Sequence, residues 1–401
     1  MKILIVSQYY YPERFLINEI APELVKRGNE VTVLTGKPNY PEGIVNKNYR
    51  FGKKKYEIID GVEVIRTFET GRRKGKIPLI INYISFALSG SIKARFIKKK
   101  YDIVFSYQLS PVTSAYPAIV YKKKHKVPHL LYCLDIWPES AVASVGNQKS
   151  LFYKIVSKIS KDVYEHCDQI AVTSEPFIEY LNRVNNVPLN KMIYIPQHSN
   201  GELLTLDLCK PSDDVKHFMY AGNLGHGQTV EVILQAAALI KDRKDFRIHL
   251  VGSGSMLREL LDFVVKENMQ DKIVFHGQHS MDEMKKFYKL ADALIITLRG
   301  NNFVGNTMPG KLQTYMTTGK PILGAINGAA KQVIDDAKCG ACVASGDYKG
   351  LADLMSDFLD NSEKYADCGK NAREYFKKNF TKEIFMNRLE KDLEKAVNGK
   401  I

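Results

Sequence analysis

The first 200 residues alternate short apolar runs with amphipathic stretches. Apolar runs at residues 3–6 and 31–34 flank a stretch of helical spacing, residues 17–27, that ends at Gly28. Unbroken apolar runs are typical of strands buried on both faces of a parallel sheet, whereas the 3.6-residue spacing between them predicts a helix. A hairpin is predicted at residues 56–66, and further strands at residues 103–106, 129–133, 169–173 and 193–195. This half of the chain is therefore predicted to be a doubly wound α/β domain.

The same alternation restarts after a polar, irregular stretch at residues 205–215. Strands are predicted at residues 217–220, 246–251, 273–275, 293–297 and 321–323, with helices between most of them. We therefore expect two Rossmann-like domains, residues 1–200 and 201–380, followed by a C-terminal helix, residues 381–401, that can return to the first domain. Because such sheets bind ligands at the carboxyl ends of their strands, two of them facing each other would form a ligand-binding cleft.

Residues 305–324 carry the most specific chemical signal in the chain. Pro309 suits the first turn of a helix, where its missing N–H is not needed, and Gly310 and Lys311 follow at once. Free backbone N–H groups and an ammonium thus lie together at the positive end of a helix, which attracts phosphate. The stretch differs from a P-loop because Leu312 stands where a magnesium-binding hydroxyl is required. We therefore predict a phosphate site of another kind.

Two glycine-rich turns and one arginine could serve the same ligand. Residues 220–228 and 251–255 each follow a predicted strand and precede a helix, so their backbones could approach a phosphate, although tight turns also need glycine. Arg299 follows the strand at residues 293–297 and could bind a diphosphate. No glycine-rich turn follows the first strand, which disfavours a dinucleotide-binding fingerprint.

Two loops of the first domain hold acidic and aromatic residues directly after predicted strands. They lie at residues 7–13 and 135–140, and their candidate side chains are Tyr10, Glu13, Asp135, Trp137 and Glu139. A single aspartate at the end of a strand is more often a cap than a catalytic group. An aspartate, a tryptophan and a glutamate within five residues of one such loop favour a functional role.

The net charge of +14 is concentrated in the first half of the chain. Residues 1–200 carry 30 basic and 17 acidic side chains, whereas residues 201–401 carry 28 and 27. Residues 51–126 alone hold 17 basic and five acidic side chains. Nucleic acid is disfavoured as the partner because the chain shows no zinc-finger spacing, helix-turn-helix signal or aromatic-basic RNA platform. The basic half instead indicates a surface that meets another anionic partner.

An uncharged and mostly apolar segment, residues 77–92, lies among these basic residues. It falls short of the ~20 residues needed to span a bilayer, and its basic flanks are typical of a segment lying in the membrane interface beside anionic headgroups. A core helix with solvated flanks is the alternative. The six scattered cysteines do not indicate a disulfide framework, and the first apolar run is too short for a signal peptide. We therefore predict a cytoplasmic protein with peripheral contact to an anionic membrane through the basic residues in 53–126.

Together these stretches resemble retaining GT-B glycosyltransferases of glycosyltransferase family 4 over essentially the whole chain. The similarity is carried by residues 7–13, 27–43, 135–140, 221–225 and 309–323. The chain is most similar to the bacterial capsule and O-antigen branch that includes N-acetyl-L-fucosamine transferases. The resemblance implies a GT-B fold and metal-independent transfer without a cofactor. It also implies a UDP-sugar donor in the second domain and a polyisoprenyl-diphosphate-linked glycan acceptor in the first, at the inner face of the plasma membrane.

The resemblance further implies roles for individual residues. Asp135 and Glu139 would orient or activate the acceptor, and Arg299 and Lys311 would neutralise the departing diphosphate. The acceptor would also contact Tyr10, Glu13 and Trp137. The donor would contact Gly222, Asn223, Gly225, Gln228, Gly252, Gly254, His276, Asn306, Pro309, Gly310 and Thr314.

Several positions depart from the wider family pattern. Asn306 and Thr314 stand where many members carry two glutamates, Gln228 stands near a usual lysine, and Asp135 replaces a cleft histidine. The narrower branch shares these departures in character, and two alternatives stay open. A non-hydrolysing sugar-nucleotide epimerase would need no lipid. An inactive scaffold subunit of a polysaccharide assembly complex would bind lipid but no donor.

Overall fold

The computed structural model describes residues 1–141, 149–208, 214–300 and 307–399. The chain forms two compact units. The first comprises Met1–Ile195 together with Met386–Ile401, and the second comprises Pro196–Phe385. Each unit is a mainly or wholly parallel sheet with helices on it, as the alternating pattern predicts.

The first unit is built on an eight-stranded sheet. Its strands are β1 (Lys2–Val6), β2 (Glu30–Thr35), β3 (Tyr56–Ile59), β4 (Val62–Arg66), β5 (Ile103–Gln108), β6 (His129–Cys133), β7 (Gln169–Val172) and β8 (Met192–Tyr194). Their order is β3-β4-β2-β1-β5-β6-β7-β8, and all neighbours are parallel except the β3–β4 hairpin. Strands β5, β6 and β7 are buried along their whole length, which explains the three or more consecutive apolar residues in each.

Five helices connect these strands within the described residues. They are α1 (Ile17–Lys26), α2 (Lys76–Phe96), α3 (Tyr116–His125), α4 (Leu151–His166) and α5 (Pro176–Asn185). The C-terminal residues also contact this unit: Arg27 Nη1 donates to Asn387 Oδ1 at 2.6 Å and to Glu390 Oε2 at 2.9 Å. The prediction that the last helix can return to the first domain is therefore confirmed.

Helix α2 extends the predicted apolar segment at both ends, to 21 residues. By length and composition it could cross a membrane: its most apolar window has a mean hydropathy of 1.3, and 28% of that window is buried. In this fold it lies against the sheet and α3, and Gly90 allows the close approach, because a Cβ there would lie 2.7 Å from Pro117 Cγ. The uncharged run of sixteen residues stops before Lys76 and Lys93, whereas the helix includes both lysines.

The second unit is built on a six-stranded, wholly parallel sheet. Its strands are β9 (Lys216–Ala221), β10 (Phe246–Val251), β11 (Ile273–Gly277), β12 (Ala293–Thr297), β13 (Ile322–Ala325) and β14 (Gly340–Val343). Their order is β11-β10-β9-β12-β13-β14. The sequence pattern did not predict β14, because its four residues are small and only half-buried. Apolar side chains fill both faces of this sheet.

Eight helices complete the described parts of the second unit and the C-terminus. They are α6 (Glu231–Leu239), α7 (Leu257–Lys266), α8 (Met281–Leu290), α9 (Gly310–Thr318), α10 (Gly328–Ala337), α11 (Tyr348–Asp360), α12 (Cys368–Asn379) and α13 (Lys382–Val397). Helix α9 ends at Gly319, whose φ of +72° is the left-handed conformation that favours glycine. The five cysteines that the structure describes are free thiols, and Cys209 lies outside the described residues.

Candidate active site

A cavity of about 390 Å³ lies at the carboxyl edge of the second sheet. It adjoins the reversal of strand order, where β9 has β10 on one side and β12 on the other. Open α/β sheets bind ligands at such a reversal. The structure brings together five of the predicted donor-side residues in its walls: Gly222, Asn223, Gly252, Lys311 and Thr314.

Lys311 supplies the positive charge of this cavity. Its Nζ donates to Tyr220 Oη at 2.6 Å and to Gln228 Oε1 at 2.5 Å, and it lies 4.2 Å from the centre of the Tyr220 ring. Among the described residues, Lys311 has no carboxylate within ion-pair distance. Burial lowers the pKa of Lys311 to about 7. A buried ammonium held by neutral groups is prepared to pair with an incoming anion.

The start of α9 adds to this positive field. Helix α9 begins at Gly310, with Pro309 as the capping residue in an extended conformation. Pro309 thus lies one position before the helical turn that the sequence suggested. The first N–H groups of a helix have no acceptor within the helix, and they carry the positive end of its dipole. Together with the Lys311 ammonium they form an anion-binding corner.

Gly222 and Gly252 are required by the close approach of the two turns. Gly252 has φ +142°, and a Cβ there would lie 1.9 Å from the carbonyl oxygen of Gly222. Gly222 has φ +152°, and a Cβ there would lie 3.1 Å from Lys311 Nζ. These two glycines therefore create the space in front of the ammonium.

Other predicted donor residues occupy supporting positions. A Cβ on Gly254 would lie 2.4 Å from the backbone of Leu224, so this glycine serves contact between the turns. Gly225 precedes the short helical turn His226–Gln228. His276 Nε2 is paired with His249 Nδ1 at 2.8 Å, and His276 does not line the cavity. Gln228 holds the Lys311 ammonium by accepting its hydrogen bond.

Arg299 is not brought into the cavity. The Arg299 side chain is exposed, and its backbone N–H donates to the carbonyl of Gly227 at 3.0 Å. Because Arg299 does not line the cavity, its role in binding the diphosphate stays a prediction. Asn306 lies outside the described residues.

Sequence reasoning missed part of the cavity wall. The missed lining residues are His279, Met281, Met284 and Tyr288. They follow β11 or lie on α8, where no glycine-rich turn or phosphate motif marks the sequence. The one signal available was position, because His279 lies just beyond the carboxyl end of a strand.

In the first unit, Asp135 lies beyond the carboxyl end of β6. Its two carboxylate oxygens accept hydrogen bonds from the hydroxyls of Ser110 and Ser140, and Trp137 Nε1 donates to Ser110 Oγ at 3.0 Å. Burial raises the pKa of Asp135 above its ordinary value, although these hydrogen bonds oppose the shift. The carboxylate is thus held in one orientation, with its basicity increased.

Glu139 has a different environment from that of Asp135. It is buried, and its Oε1 accepts from Tyr153 Oη at 2.9 Å and from Tyr180 Oη at 3.1 Å. Trp137 is 7% exposed. These contacts favour a structural role for Glu139, in holding the loop that carries Asp135.

Tyr10 and Glu13 are both buried. Tyr10 is 1% exposed, so the structure does not favour its direct contact with an acceptor. Glu13 lines a cavity of about 900 Å³, and its Oε1 accepts from the backbone N–H groups of Asn39 at 2.7 Å and Tyr40 at 2.6 Å. Burial raises the pKa of Glu13 to about 7. Glu13 therefore fixes the residue 39–40 turn beside that cavity.

The fold agrees with comparisons to known proteins. Residues 16–197 match the domain described as Glycosyltransferase Family 4, and residues 210–375 match the domain described as Glycosyl transferases group 1. The structure of sucrose-phosphate synthase from Thermosynechococcus elongatus superposes with a TM-score of 0.74 at 18% identity, covering 99% of both chains. The structure of Anabaena HepE in complex with UDP superposes with a TM-score of 0.70 at 12% identity, covering 98% of this chain and 100% of that one.

The fold, with its two Rossmann-like α/β domains, is that of a GT-B glycosyltransferase. The chain is a glycosyltransferase with a family 4 domain followed by a group 1 domain. It is 25% identical over 317 residues to an uncharacterized glycosyltransferase, MJ1607, of Methanocaldococcus jannaschii, covering 74% of each. It is 21% identical to the putative colanic acid biosynthesis glycosyl transferase WcaI of Escherichia coli, covering 80% of this chain and 82% of that one. For three other curated relatives, the match spans only 45% to 58% of their length.

Proposed function

We propose that this glycosyltransferase transfers an N-acetylamino sugar from a UDP-sugar to a polyisoprenyl-diphosphate-linked oligosaccharide, with retention of anomeric configuration. N-acetyl-L-fucosamine is the first donor sugar to test, because of the family resemblance. The product would belong to capsule or O-antigen biosynthesis, and the enzyme would lie on the inner face of the plasma membrane. The single observation that carries the proposal is the buried Lys311 ammonium in the glycine-walled cavity.

Lys311 supports a nucleoside-diphosphate donor for an electrostatic reason. When the sugar leaves, negative charge develops on the diphosphate, and an ammonium already fixed at that position stabilises the transition state. The ammonium and the N–H groups of α9 would supply this charge without a metal ion. Two comparisons support the proposal: the structure of HepE is in complex with UDP, and WcaI is named for colanic acid biosynthesis.

Asp135 is the proposed acceptor-side group. Its carboxylate is oriented by two serine hydroxyls, and its raised pKa makes it a better proton acceptor than an exposed aspartate. In a retaining transfer with attack from the front face, the leaving phosphate accepts the proton of the acceptor hydroxyl. Asp135 would then orient that hydroxyl by accepting its hydrogen bond.

Helix α2 supports membrane contact through the pattern of its two faces. The inward face is partly polar: Asn82 is fully buried, and Ser85 Oγ donates to the Asn82 carbonyl at 2.8 Å. The outward face is apolar and exposed at Ile77, Ile80, Ile81, Ile84, Leu88, Ile92 and Phe96. A helix facing water has the opposite arrangement, whereas a helix lying in a membrane interface is apolar outward. The basic residues around it suit anionic headgroups.

The first test is calorimetric titration of the protein with UDP, ADP, GDP and CDP without added metal, and again with a chelator. We expect selective binding of UDP, unchanged by the chelator. Transfer is then measured with UDP-N-acetylamino sugars and an isoprenyl-diphosphate-linked glycan, and the anomeric configuration of the product is read by NMR. Absence of UDP binding would overturn the donor assignment and favour the scaffold alternative. Isomerisation of the UDP-sugar without transfer would favour the epimerase.

Membrane contact is tested separately, by flotation with vesicles of phosphatidylcholine and phosphatidylglycerol. The double substitution Ile84→Asp and Leu88→Asp should abolish flotation and leave UDP affinity unchanged. Leu239→Asp with Leu261→Asp serves as control, because these leucines are exposed on helices of the second unit. Flotation that persists in the α2 variant would refute the role of this helix.

A further inference from the structure

A cavity of about 650 Å³ lies in the first unit beside the start of α2. Three cationic side chains line it: Lys37, Arg50 and Arg73. Within the described parts of the chain, none of the three forms an ion pair with a carboxylate. Neutral groups hold two of them: Arg50 Nε donates to the Val45 carbonyl at 2.9 Å, and Lys37 Nζ lies 5.2 Å from the centre of the Phe68 ring. The cavity therefore has an uncompensated positive charge.

Glu69 is the acidic residue in the cavity wall. It is 1% exposed, and its Oε1 accepts from Gln8 Nε2 at 2.7 Å and from Asn82 Nδ2 at 2.8 Å. Its Oε2 is buried and has no hydrogen-bond partner among the described residues. Burial raises the pKa of Glu69 to about 8, so near pH 7 the group is mostly protonated and neutral. Glu69 therefore does not cancel the charge of the three cations.

The cavity continues into the exposed apolar surface of α2. Pro78 and Ile81, both on α2, line it, and Ile81 also belongs to the outward face. Two aromatic residues of the lining are exposed as well: Phe51 is 96% exposed and Phe68 is 58% exposed. A ligand with an anionic head and a long apolar chain would thus find both surfaces in one continuous path.

We propose that this cavity binds the diphosphate of a polyisoprenyl-diphosphate-linked acceptor, with Lys37, Arg50 and Arg73 on the phosphates and the outward face of α2 along the isoprenyl chain. The inference rests on the proposed function, because it assigns a position to the acceptor of that reaction. One arginine guanidinium can donate two parallel hydrogen bonds to the oxygens of a phosphate. Two arginines and a lysine therefore suit two linked phosphates.

The neighbouring residues connect this cavity with the candidate acceptor site. Arg72, next to Arg73, donates to Tyr83 Oη at 3.4 Å, and its guanidinium lies 5.4 Å from the centre of the Tyr40 ring. Tyr83 lies close enough to Asp135 for the aspartate charge to raise the tyrosine pKa, although burial is the larger cause. A glycan attached to the bound diphosphate can therefore extend towards Asp135 along a polar and aromatic surface.

The test compares two triple variants of the full chain. Lys37→Ala/Arg50→Ala/Arg73→Ala removes the cavity cations, and Lys98→Ala/Lys100→Ala/Lys123→Ala removes three exposed charges elsewhere in the first unit. The probes are farnesyl diphosphate, inorganic diphosphate and vesicles of phosphatidylcholine with phosphatidylglycerol. We expect the cavity variant alone to lose at least about tenfold in affinity for farnesyl diphosphate. Both variants should lose vesicle affinity to a similar extent.

The apolar half of the site is tested by Ile81→Ser with Ile84→Ser. This variant should weaken farnesyl diphosphate binding and leave inorganic diphosphate binding unchanged. The site would be wrong if the cavity variant kept wild-type affinity for farnesyl diphosphate, or if the control variant lost as much. A site for free phosphate would be indicated if inorganic diphosphate bound as tightly as farnesyl diphosphate. UDP affinity, measured on the same variants, tests the donor site of the second unit and separates its failure from failure of this cavity.

Discussion

Substitution of Lys311 by methionine separates the catalytic role of the ammonium from its cost to stability. Methionine keeps most of the side-chain volume and removes the charge and the two hydrogen bonds to Tyr220 and Gln228. If the ammonium stabilises the departing diphosphate, the loss should resemble that of one fixed oxyanion donor, about 2.7–4 kcal/mol in the transition state. We therefore expect kcat/KM to fall by about 10²–10³-fold.

The same substitution should raise the stability of the protein near pH 7. Burial lowers the Lys311 pKa from 10.5 to about 7, which corresponds to a cost of at most about 4 kcal/mol at neutral pH. The two lost hydrogen bonds offset about 2 kcal/mol of this gain. The net effect is a stabilisation of about 2 kcal/mol, or a rise in Tm of several degrees.

The sign of the pH dependence follows from proton binding. Between pH 7 and about pH 10.5, unfolded wild-type protein holds a proton on Lys311 that the folded protein has released, so wild-type stability rises with pH there. The stability advantage of Lys311→Met should therefore shrink as the pH rises from 7 to 10.

The assays are steady-state transfer kinetics and thermal unfolding across this pH range, with Lys244→Met as control, because Lys244 is an exposed lysine of the same unit. Wild-type kcat/KM in Lys311→Met would refute the assignment of the phosphate site. A lower Tm in that variant at pH 7 would refute the account of the burial cost.

Three further predictions test other parts of the molecule. UDP affinity should fall by up to about tenfold per pH unit above 7, because a diphosphate selects the protonated Lys311, and calorimetry in buffers of different ionisation enthalpy should detect proton uptake. Gly252→Ala should abolish UDP binding, because the added Cβ would lie 1.9 Å from the Gly222 carbonyl oxygen. Gly227→Ala is the control and should bind UDP normally, because no atom lies within 4 Å of the Cβ added there. Asn82→Leu should lower the free energy of unfolding, measured with urea, by about 1–3 kcal/mol, because Glu69 loses a buried hydrogen-bond donor. Asn82→Asp should not restore this stability.

The sequence predicted most strands and helices because burial leaves a direct mark on it. Strands β6, β10 and β12 have the predicted bounds, since unbroken apolar runs are local properties of the chain. A helix start beside Lys311 was predicted for the same reason, because the start and its lysine are adjacent in sequence.

Contacts between distant residues were decided only by the tertiary structure. Tyr220 and Gln228 surround the Lys311 ammonium from 91 and 83 positions away, and no local pattern predicts that an ammonium will be buried without a carboxylate. The separate environments of Asp135 and Glu139, four residues apart, likewise depend on hydroxyls that other segments supply. The sequence by itself therefore determined which residues could bind phosphate or a hydroxyl. Packing determined which of them are buried, oriented and charged, because burial and charge depend on neighbours brought together by folding.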